Sequence, residues 1–500
     1  MKKLSELLKD VTYEIIQGDP EVPVQDLTND SRQIKEGSAF FCFIGAQSDG
    51  HKFIPGAIKA GAKALVVQRE ISEELKETDP ALLQDLTIVK AEDTRSALAY
   101  ASAEFFDHPA KKMLTIAITG TKGKTSITSM IQMILSKAGK KVGTIGTVGA
   151  FTGDEFIKTE TTTPESLDVE RFMDQMVKNG CDACVMEVSS QALMLHRVSG
   201  IVFDYGLFTN LSPDHIGGAE HKDMADYIHC KSLLFRQCRH GHFNADDEHF
   251  PEMTKDCTCD ITTFSCHKDS DLKATEIRYL REAGFLGMSF RTEGSLEEIF
   301  KVSAPGEFSV YNALSAISVC LAAGIDTAII KEALMEVHVR GRMEPVHISP
   351  RFTLLIDYAH NAVAVESILK AMRKYEPKRI VSLFGCGGNR SKLRRYEMGE
   401  MSGLYADLSI LTEDNSRMED VNDIIADIEI GIGKTDGEYI VIPDRKEAIR
   451  YSIEHAKDGD IILLLGKGHE DYQDKGGVKR PFDERVIIKE ILDEIGWKYE

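Results

Sequence analysis

No stretch of the 500 residues approaches the unbroken apolar run that a membrane helix needs. The opening MKKLSELLKDVTYEI has two lysines but lacks the apolar core of a signal peptide, so a cytosolic chain is expected. Basic residues are in deficit, 60 against 80 acidic, giving a net charge of -20 with no concentrated basic stripe. That balance argues against nucleic-acid and membrane partners, and any anionic substrate must be met by locally placed cations. Low-complexity tracts and short-period repeats are missing, and 42% hydrophobic with 28% charged residues describes a globular chain. The ten cysteines are scattered outside any secretory context, which favours reduced thiols. Cys257, Cys259, Cys266 and His267 lie close in sequence, but their C-x-C…C-H spacing fits no standard zinc pattern.

A chain of this length exceeds one ordinary core and suggests two to four domains. Residues 1–108 hold short strand-like runs (SAFFCFIG, ALVVQ, LTIV) and a helical segment that ends near Pro109. Over 109–340 the runs LTIAIT, KVGTIGT, DACVMEVS and VFDYGLFTN read as buried strands of a mainly parallel sheet. Helices are expected over 125–138, 165–179, 223–238 and 309–323. From 341 to 500 the strands FTLLIDY, RIVSLFG, DLSILTE and DIILLLG alternate with helices near 362–374, 421–431, 444–456 and 483–495. That order predicts a second doubly wound, Rossmann-like α/β domain, and three domains in all.

The sharpest local signal is Gly120-Thr121-Lys122-Gly123-Lys124-Thr125-Ser126, between a strand and a helix. Glycines let backbone N–H groups approach phosphate oxygens, and the helix start adds partial positive charge. Lys124 is placed to reach the β- and γ-phosphates of ATP, and the Thr125 hydroxyl to bind Mg²⁺. Only two residues separate the first glycine from the GK pair, where the usual loop has four. Glu187 in MEVSS and His215 in TNLSPDHIGG follow predicted parallel strands, where α/β sheets gather ligands, and both suit a metal beside a triphosphate. Lys231, on the helix of ADYIHCKSLLF, reads by itself as a surface lysine. Asn312, Arg342, Asp357 and His360 are polar residues at element ends; an arginine at a domain junction suits the γ-phosphate.

Taken in order, TGTKGKTS, TTTP, EVSS, TNLSPDH, NADDE, YNALSA, GRMEPV, DYAHN, GCGGNR, EDNSR and GKGHEDYQ resemble the Mur ligases along essentially the whole chain. Among these the chain is most similar to the tripeptide synthetases of cell-wall synthesis. The resemblance implies an N-terminal uridine-nucleotide-binding α/β domain, a central ATPase and a C-terminal amino-acid-binding domain. It implies that ATP phosphorylates the terminal carboxylate of UDP-N-acetylmuramoyl-L-alanyl-D-glutamate, and that an amine then displaces phosphate. Asn312, Arg342, Asp357 and His360 join the loop as ATP contacts. Lys231 becomes a carbamate formed with CO₂, an anionic metal ligand alongside Thr125, Glu187 and His215. The sugar peptide falls to Ser31, Thr162, Thr163, Ser189 and Arg197. Leu195 stands where some relatives have glutamine, and Lys122 where asparagine is frequent.

By the same resemblance Asp414-Asn415-Ser416-Arg417 corresponds to the DNPR signature of enzymes that add meso-diaminopimelate. An arginine suits the second carboxylate of that amino acid, where L-lysine, the main rival, presents an ammonium. Arg390, Gly466 and Glu470 complete the expected amino-acid site. Serine in place of proline at 416 leaves the turn that aims Arg417 less stiff. Folylpolyglutamate synthetase lacks the N-terminal uridine domain implied by NDSR, Thr162 and Thr163. A non-catalytic precursor sensor has no need of the full metal set. A monomer is expected.

Overall fold

The computed structural model describes residues 1–45, 48–76, 78–213, 216–217, 220–282 and 285–497. The chain forms two compact units, Met1–Asp271 with Ser315–Asp326, and Leu272–Leu314 with Thr327–Glu500.

The first unit opens with a five-stranded sheet: β1 (Tyr13–Gln17), β2 (Asp26–Thr28), β3 (Ser38–Phe41), β4 (Ala64–Val67) and β5 (Thr87–Ala91). Their order is β1-β5-β4-β3-β2, with β1 antiparallel and the rest parallel. β3 and β4 are buried at every position, which is why SAFF and ALVV read as continuous apolar runs rather than alternating ones. Helix α1 (Thr94–Phe105) is capped by Asp93, whose side chain accepts from Ser96 N. It stops short of Pro109, and Asp107 and His108 take left-handed backbone angles ahead of that proline.

The second sheet of this unit comprises β6 (Leu114–Thr119), β7 (Val142–Gly146), β8 (Gly149–Phe151), β9 (Phe156–Ile157), β10 (Ala183–Glu187), β11 (Phe203–Phe208), β12 (Cys238–Asn244) and β13 (Asp260–Ser265). The order runs β9-β8-β7-β10-β6-β11-β12-β13, parallel from β7 through β13. Because β10 and β11 flank β6, the loops leaving these three strands emerge side by side at their C-terminal ends. Helices α2 (Lys124–Lys137), α3 (Ser166–Lys178), α4 (Ser190–Met194) and α5 (Met224–Ser232) interleave with the strands. α5 is shorter than the expected 223–238. Its last turn tightens to 3₁₀ over Leu233–Arg236, and the polar run CRHGHFN from Cys238 is a strand instead. Parallel pairing with β11 and β13 overrides the absence of apolar periodicity in that run.

The second unit contains an antiparallel meander, β14 (Leu272–Glu282), β15 (Phe285–Gly294) and β16 (Glu298–Val302). The sequence reading had continued the βα alternation through this region. Charged residues on the exposed face of β14 interrupt its apolar pattern. Helix α6 (Glu307–Ala322) follows. The last sheet has β17 (Glu344–Val346), β18 (Thr353–Asp357), β19 (Arg379–Phe384), β20 (Leu408–Leu411), β21 (Tyr439–Val441) and β22 (Asp460–Leu465), in the order β17-β18-β22-β19-β20-β21. All but β17 run parallel. Its helices are α7 (Ala362–Arg373), α8 (Lys392–Tyr405), α9 (Val421–Ile432), α10 (Arg445–Glu454) and α11 (Glu484–Glu494). Four of these match the expected spans; α8, which begins inside the basic motif after Arg390, was not among them.

Candidate active site

The phosphate-loop sequence leaves β6 and enters α2 at Lys124. Gly120 has φ +149°, and a Cβ there would lie 1.9 Å from Thr209 Oγ1, so only glycine fits. The loop is braced from the end of β11. Asn210 O accepts from Thr121 N at 2.8 Å, Asn210 Oδ1 from Lys122 N at 2.9 Å, and Thr209 Oγ1 donates to Lys122 O at 2.7 Å. Lys124 Nζ donates to Gly120 O (2.8 Å) and Thr121 O (3.1 Å). Lys231, buried on α5, donates to the same Gly120 oxygen at 3.0 Å and lies over the Tyr227 ring. The surface reading of Lys231 is therefore wrong: two ammonium groups converge on one loop carbonyl.

Glu187, the last residue of β10, is 1% exposed. Its carboxylate accepts from three neutral donors: Thr125 Oγ1 (3.0 Å), Thr147 Oγ1 (2.9 Å) and Thr147 N (3.1 Å). A Cβ on Gly146 would come within 2.4 Å of Glu187 Oε1, so the small residue at the end of β7 makes room for the carboxylate. The structure thus brings Thr125, Glu187, Lys124 and Lys231 to one end of the sheet. His215 lies outside the described residues.

Beside Glu187 gather four of the expected sugar-peptide residues. Thr163 Oγ1 donates to Glu187 O (2.9 Å) and accepts from Ser189 N (3.1 Å), while Thr162 and Thr147 hydroxyls are 3.2 Å apart. Arg197 donates to Thr163 O and pairs with Glu165 at 3.0 Å, and Arg95 of α1 takes the other oxygen of Glu165 at 3.1 Å. Glu165 thereby clamps the first sheet's helix to this rim. Ser31 opens the short turn Ser31–Gln33 in the first sheet's layer. Sequence reasoning missed Thr147, Glu165, Asn210 and Tyr227. It also missed His221, buried between Ser190 Oγ (2.8 Å) and Asp226 Oδ2 (3.0 Å), which ties α4 to α5. Cys266 and His267 turn their backbone N–H groups to Asp246.

The second unit carries two groups of expected residues. Asp357, at the end of β18, accepts from Met343 N (2.7 Å) and Ala359 N (2.8 Å); burial pushes its carboxyl up, and the Arg342 guanidinium opposes that. Arg342 stacks on Tyr358, whose ring also meets His360 and His469. Burial, then the nearby Arg342 charge, lowers the His469 pKa. Asn312 is buried on α6.

The other group is the 414–417 turn. Asn415 Nδ2 donates to Glu470 Oε2 at 2.9 Å, and Asp414 lies against Gly466, where a Cβ would be 2.6 Å from its carboxylate. Lys467, fully buried, donates to Asn415 Oδ1 and Glu470 Oε2, each at 2.9 Å, and to Tyr472 O. It was not singled out from sequence, although a lysine between two glycines in GKGHE is the available signal. Ser416 is buried, its carbonyl packed against Gly388. Arg417 has φ +51° and donates to Gly388 O at 2.5 Å. Arg390 is exposed on the same loop as Gly388.

Comparison with known proteins follows this geometry. Residues 23–106 match the segment described as Mur ligase family, catalytic domain; residues 118–320 the Mur ligase middle domain; residues 341–468 the Mur ligase, glutamate ligase domain. The chain is 40% identical over 496 residues to UDP-N-acetylmuramoyl-L-alanyl-D-glutamate–2,6-diaminopimelate ligase 1 of Clostridium acetobutylicum, covering 99% of this chain and 100% of the relative. It is 42% identical over 494 residues to the similarly named ligase of Caldanaerobacter subterraneus subsp. tengcongensis, covering 98% and 99%. A solved structure of a UDP-N-acetylmuramoyl-L-alanyl-D-glutamate–2,6-diaminopimelate ligase superposes with TM-score 0.75 at 26% identity over 100% of both chains. MurF from Acinetobacter baumannii shares the fold at TM-score 0.61 and 16% identity, over 98% and 99%. With three successive segments matched and relatives aligned from end to end, the chain belongs to the Mur ligase family.

Proposed function

We propose that this chain adds meso-diaminopimelate to the γ-carboxylate of UDP-N-acetylmuramoyl-L-alanyl-D-glutamate, with cleavage of ATP to ADP and phosphate, in peptidoglycan synthesis. The observation that carries the reading is the convergence of Lys124, Lys231, Thr125 and Glu187 on the loop after β6. A carboxylate becomes an electrophile only once one of its oxygens is a leaving group. The loop N–H groups and Lys124 suit the triphosphate whose γ-phosphoryl makes that change. The amine then attacks the acyl phosphate carbon and phosphate leaves.

A buried carboxylate met, among the described residues, by neutral donors suits a divalent cation, so Thr125 and Glu187 are the residues that would hold Mg²⁺, with His215 as a further ligand. Bound there, Mg²⁺ supplies charge neutralisation between phosphates and carboxylate. Lys231 and Lys124 share one carbonyl as like charges. Reaction of the neutral Lys231 amine with CO₂, losing one proton, gives a carbamate and replaces that repulsion by attraction. Thr162, Thr163, Ser189 and Arg197 would take the sugar peptide, with Ser31 on the uridine side. Asn312, Arg342, Asp357 and His360 would complete the nucleotide contacts.

For the amino acid, Arg417 and Arg390 suit the distal carboxylate, while Asp414, Asn415, Ser416, Gly466 and Glu470 form the surrounding turn. We assign these three tasks to residues 1–108, 109–340 and 341–500, in a cytosolic enzyme that acts as a monomer. The test is purified protein with ATP, Mg²⁺, the UDP-dipeptide and a panel of diaminopimelate, L-lysine and ornithine. Phosphate release and the tripeptide product should depend on diaminopimelate. Preference for lysine would reassign the amino acid, and tight nucleotide binding without turnover would make the chain a sensor.

A further inference from the structure

Three thiols meet at the N-terminal ends of β12 and β13, the end of the sheet away from the phosphate loop. Cys238 begins β12, and Cys257 and Cys259 precede β13. Thr258 N donates to Phe235 O at 3.1 Å, which holds the Cys257–Cys259 segment against the turn that leads into Cys238. The two sulfurs occupy space left by two glycines. A Cβ on Gly206 would lie 2.8 Å from Cys238 Sγ, and a Cβ on Gly241 2.7 Å from Cys259 Sγ. Gly206 and Gly241 are direct partners across β11 and β12, so the sulfurs rest over adjacent positions of one face. Cys238 belongs to the buried core there, and Cys257 and Cys259 pack on its edge, partly open to solvent.

We propose that Cys259 and Cys238 form a redox-active pair, a reversible disulfide that joins the starts of β12 and β13. Exposure and burial divide the roles. Cys259 is open enough to meet a small oxidant, whereas Cys238 is reached from within the protein. The electrostatics agree with that division: contact with Cys238 draws Cys259 below the usual thiol range, and the same contact, then burial, pushes Cys238 above it. The oxidant is a small-molecule disulfide. Cys259 thiolate attacks one of its sulfurs, forming a mixed disulfide and releasing one small thiolate. Cys238, giving up its proton, then attacks Cys259 Sγ and expels the second small thiol. Two protein thiols are oxidised, and one small disulfide is reduced to two thiols. Cys257 is a bystander beside the pair.

The experiment exposes the folded, full-length protein to oxidised glutathione, blocks the remaining thiols by alkylation, and maps disulfides after tryptic digestion. Wild type should lose two free thiols and yield one cross-link between the peptide carrying Cys238 and the peptide 256–268, reversed by dithiothreitol. Cys257, Cys259 and Cys266 share that second peptide, so variants assign the partner. Cys257→Ser should retain the cross-link and Cys259→Ser should abolish it. Cys238→Ser should stop at a mixed disulfide on Cys259. No cross-link in folded wild type, or one that persists in Cys259→Ser, overturns the proposal. The readout is a peptide mass, so it does not depend on which amino acid the ligase adds.

Discussion

Replacing Arg417 separates recognition of the second carboxylate from everything else the 414–417 turn does. The guanidinium is half-buried, spends one N–H on Gly388 O and keeps further donors for a ligand. Hydrogen bonds to a charged group contribute about 1.5–3 kcal/mol. At a partly exposed site we take about 2–3 kcal/mol for the lost carboxylate contact, which is roughly a 30- to 140-fold rise in KM. Arg417→Ala should therefore raise KM for diaminopimelate by that factor and leave KM for ATP nearly unchanged. The backbone supplies a control. At φ +51° an alanine keeps a strain of about 1–2 kcal/mol, which glycine does not feel. Glycine in turn costs about 0.5–1 kcal/mol through the freedom of the unfolded chain. Arg417→Gly should thus match Arg417→Ala in KM while being at least as stable in thermal unfolding. Steady-state kinetics with each substrate varied, beside melting curves, decides it. Equal rises in KM for ATP and diaminopimelate, or a KM defect that tracks Tm across the two variants, would refute the assignment.

Lys231→Ala should abolish ligation and recover part of it with added short carboxylates that take the place of a carbamate; failure to recover, with Mg²⁺ binding intact, counts against the carbamate. Lys467→Met removes a buried cation from Glu470, and breaking such a pair costs about 3 kcal/mol or more. Its Tm should fall and KM for diaminopimelate rise, and adding Glu470→Gln should restore much of the Tm by removing the orphaned anion; a double variant no more stable than the single one disproves the charge argument. Glu170, buried on α3, is pushed up to about 8 by burial. Its folded pKa is above the unfolded one, so its contribution is full below about 4.5 and is lost as pH rises toward 8, at a limiting slope of about 1.4 kcal/mol per pH unit. Glu170→Gln should flatten thermal stability over that window, and a parallel curve for wild type and variant rejects the burial explanation.

The sequence by itself determined whatever rests on local chemistry. Glycines, a lysine and a threonine between a strand and a helix specify the loop at 120–126, because tight turns and helix starts are decided within a few residues. Apolar runs such as LTIAIT and DIILLLG marked the buried parallel strands, and most helices were legible from their period. Only the tertiary structure decided matters that depend on distant partners. CRHGHFN is a strand because β11 and β13 pair with it, a fact its polar pattern conceals. Lys231 looks like a surface residue until α5 delivers it to the carbonyl of Gly120, and Lys467 has no visible task until Asn415 and Glu470 close around it. The thiols of Cys238 and Cys259 are twenty-one positions apart, and neighbouring strands bring them together where C-x-C spacing had pointed elsewhere. A side chain's type is written in the chain, but its burial and charge partners come from packing, and those two quantities set its chemistry.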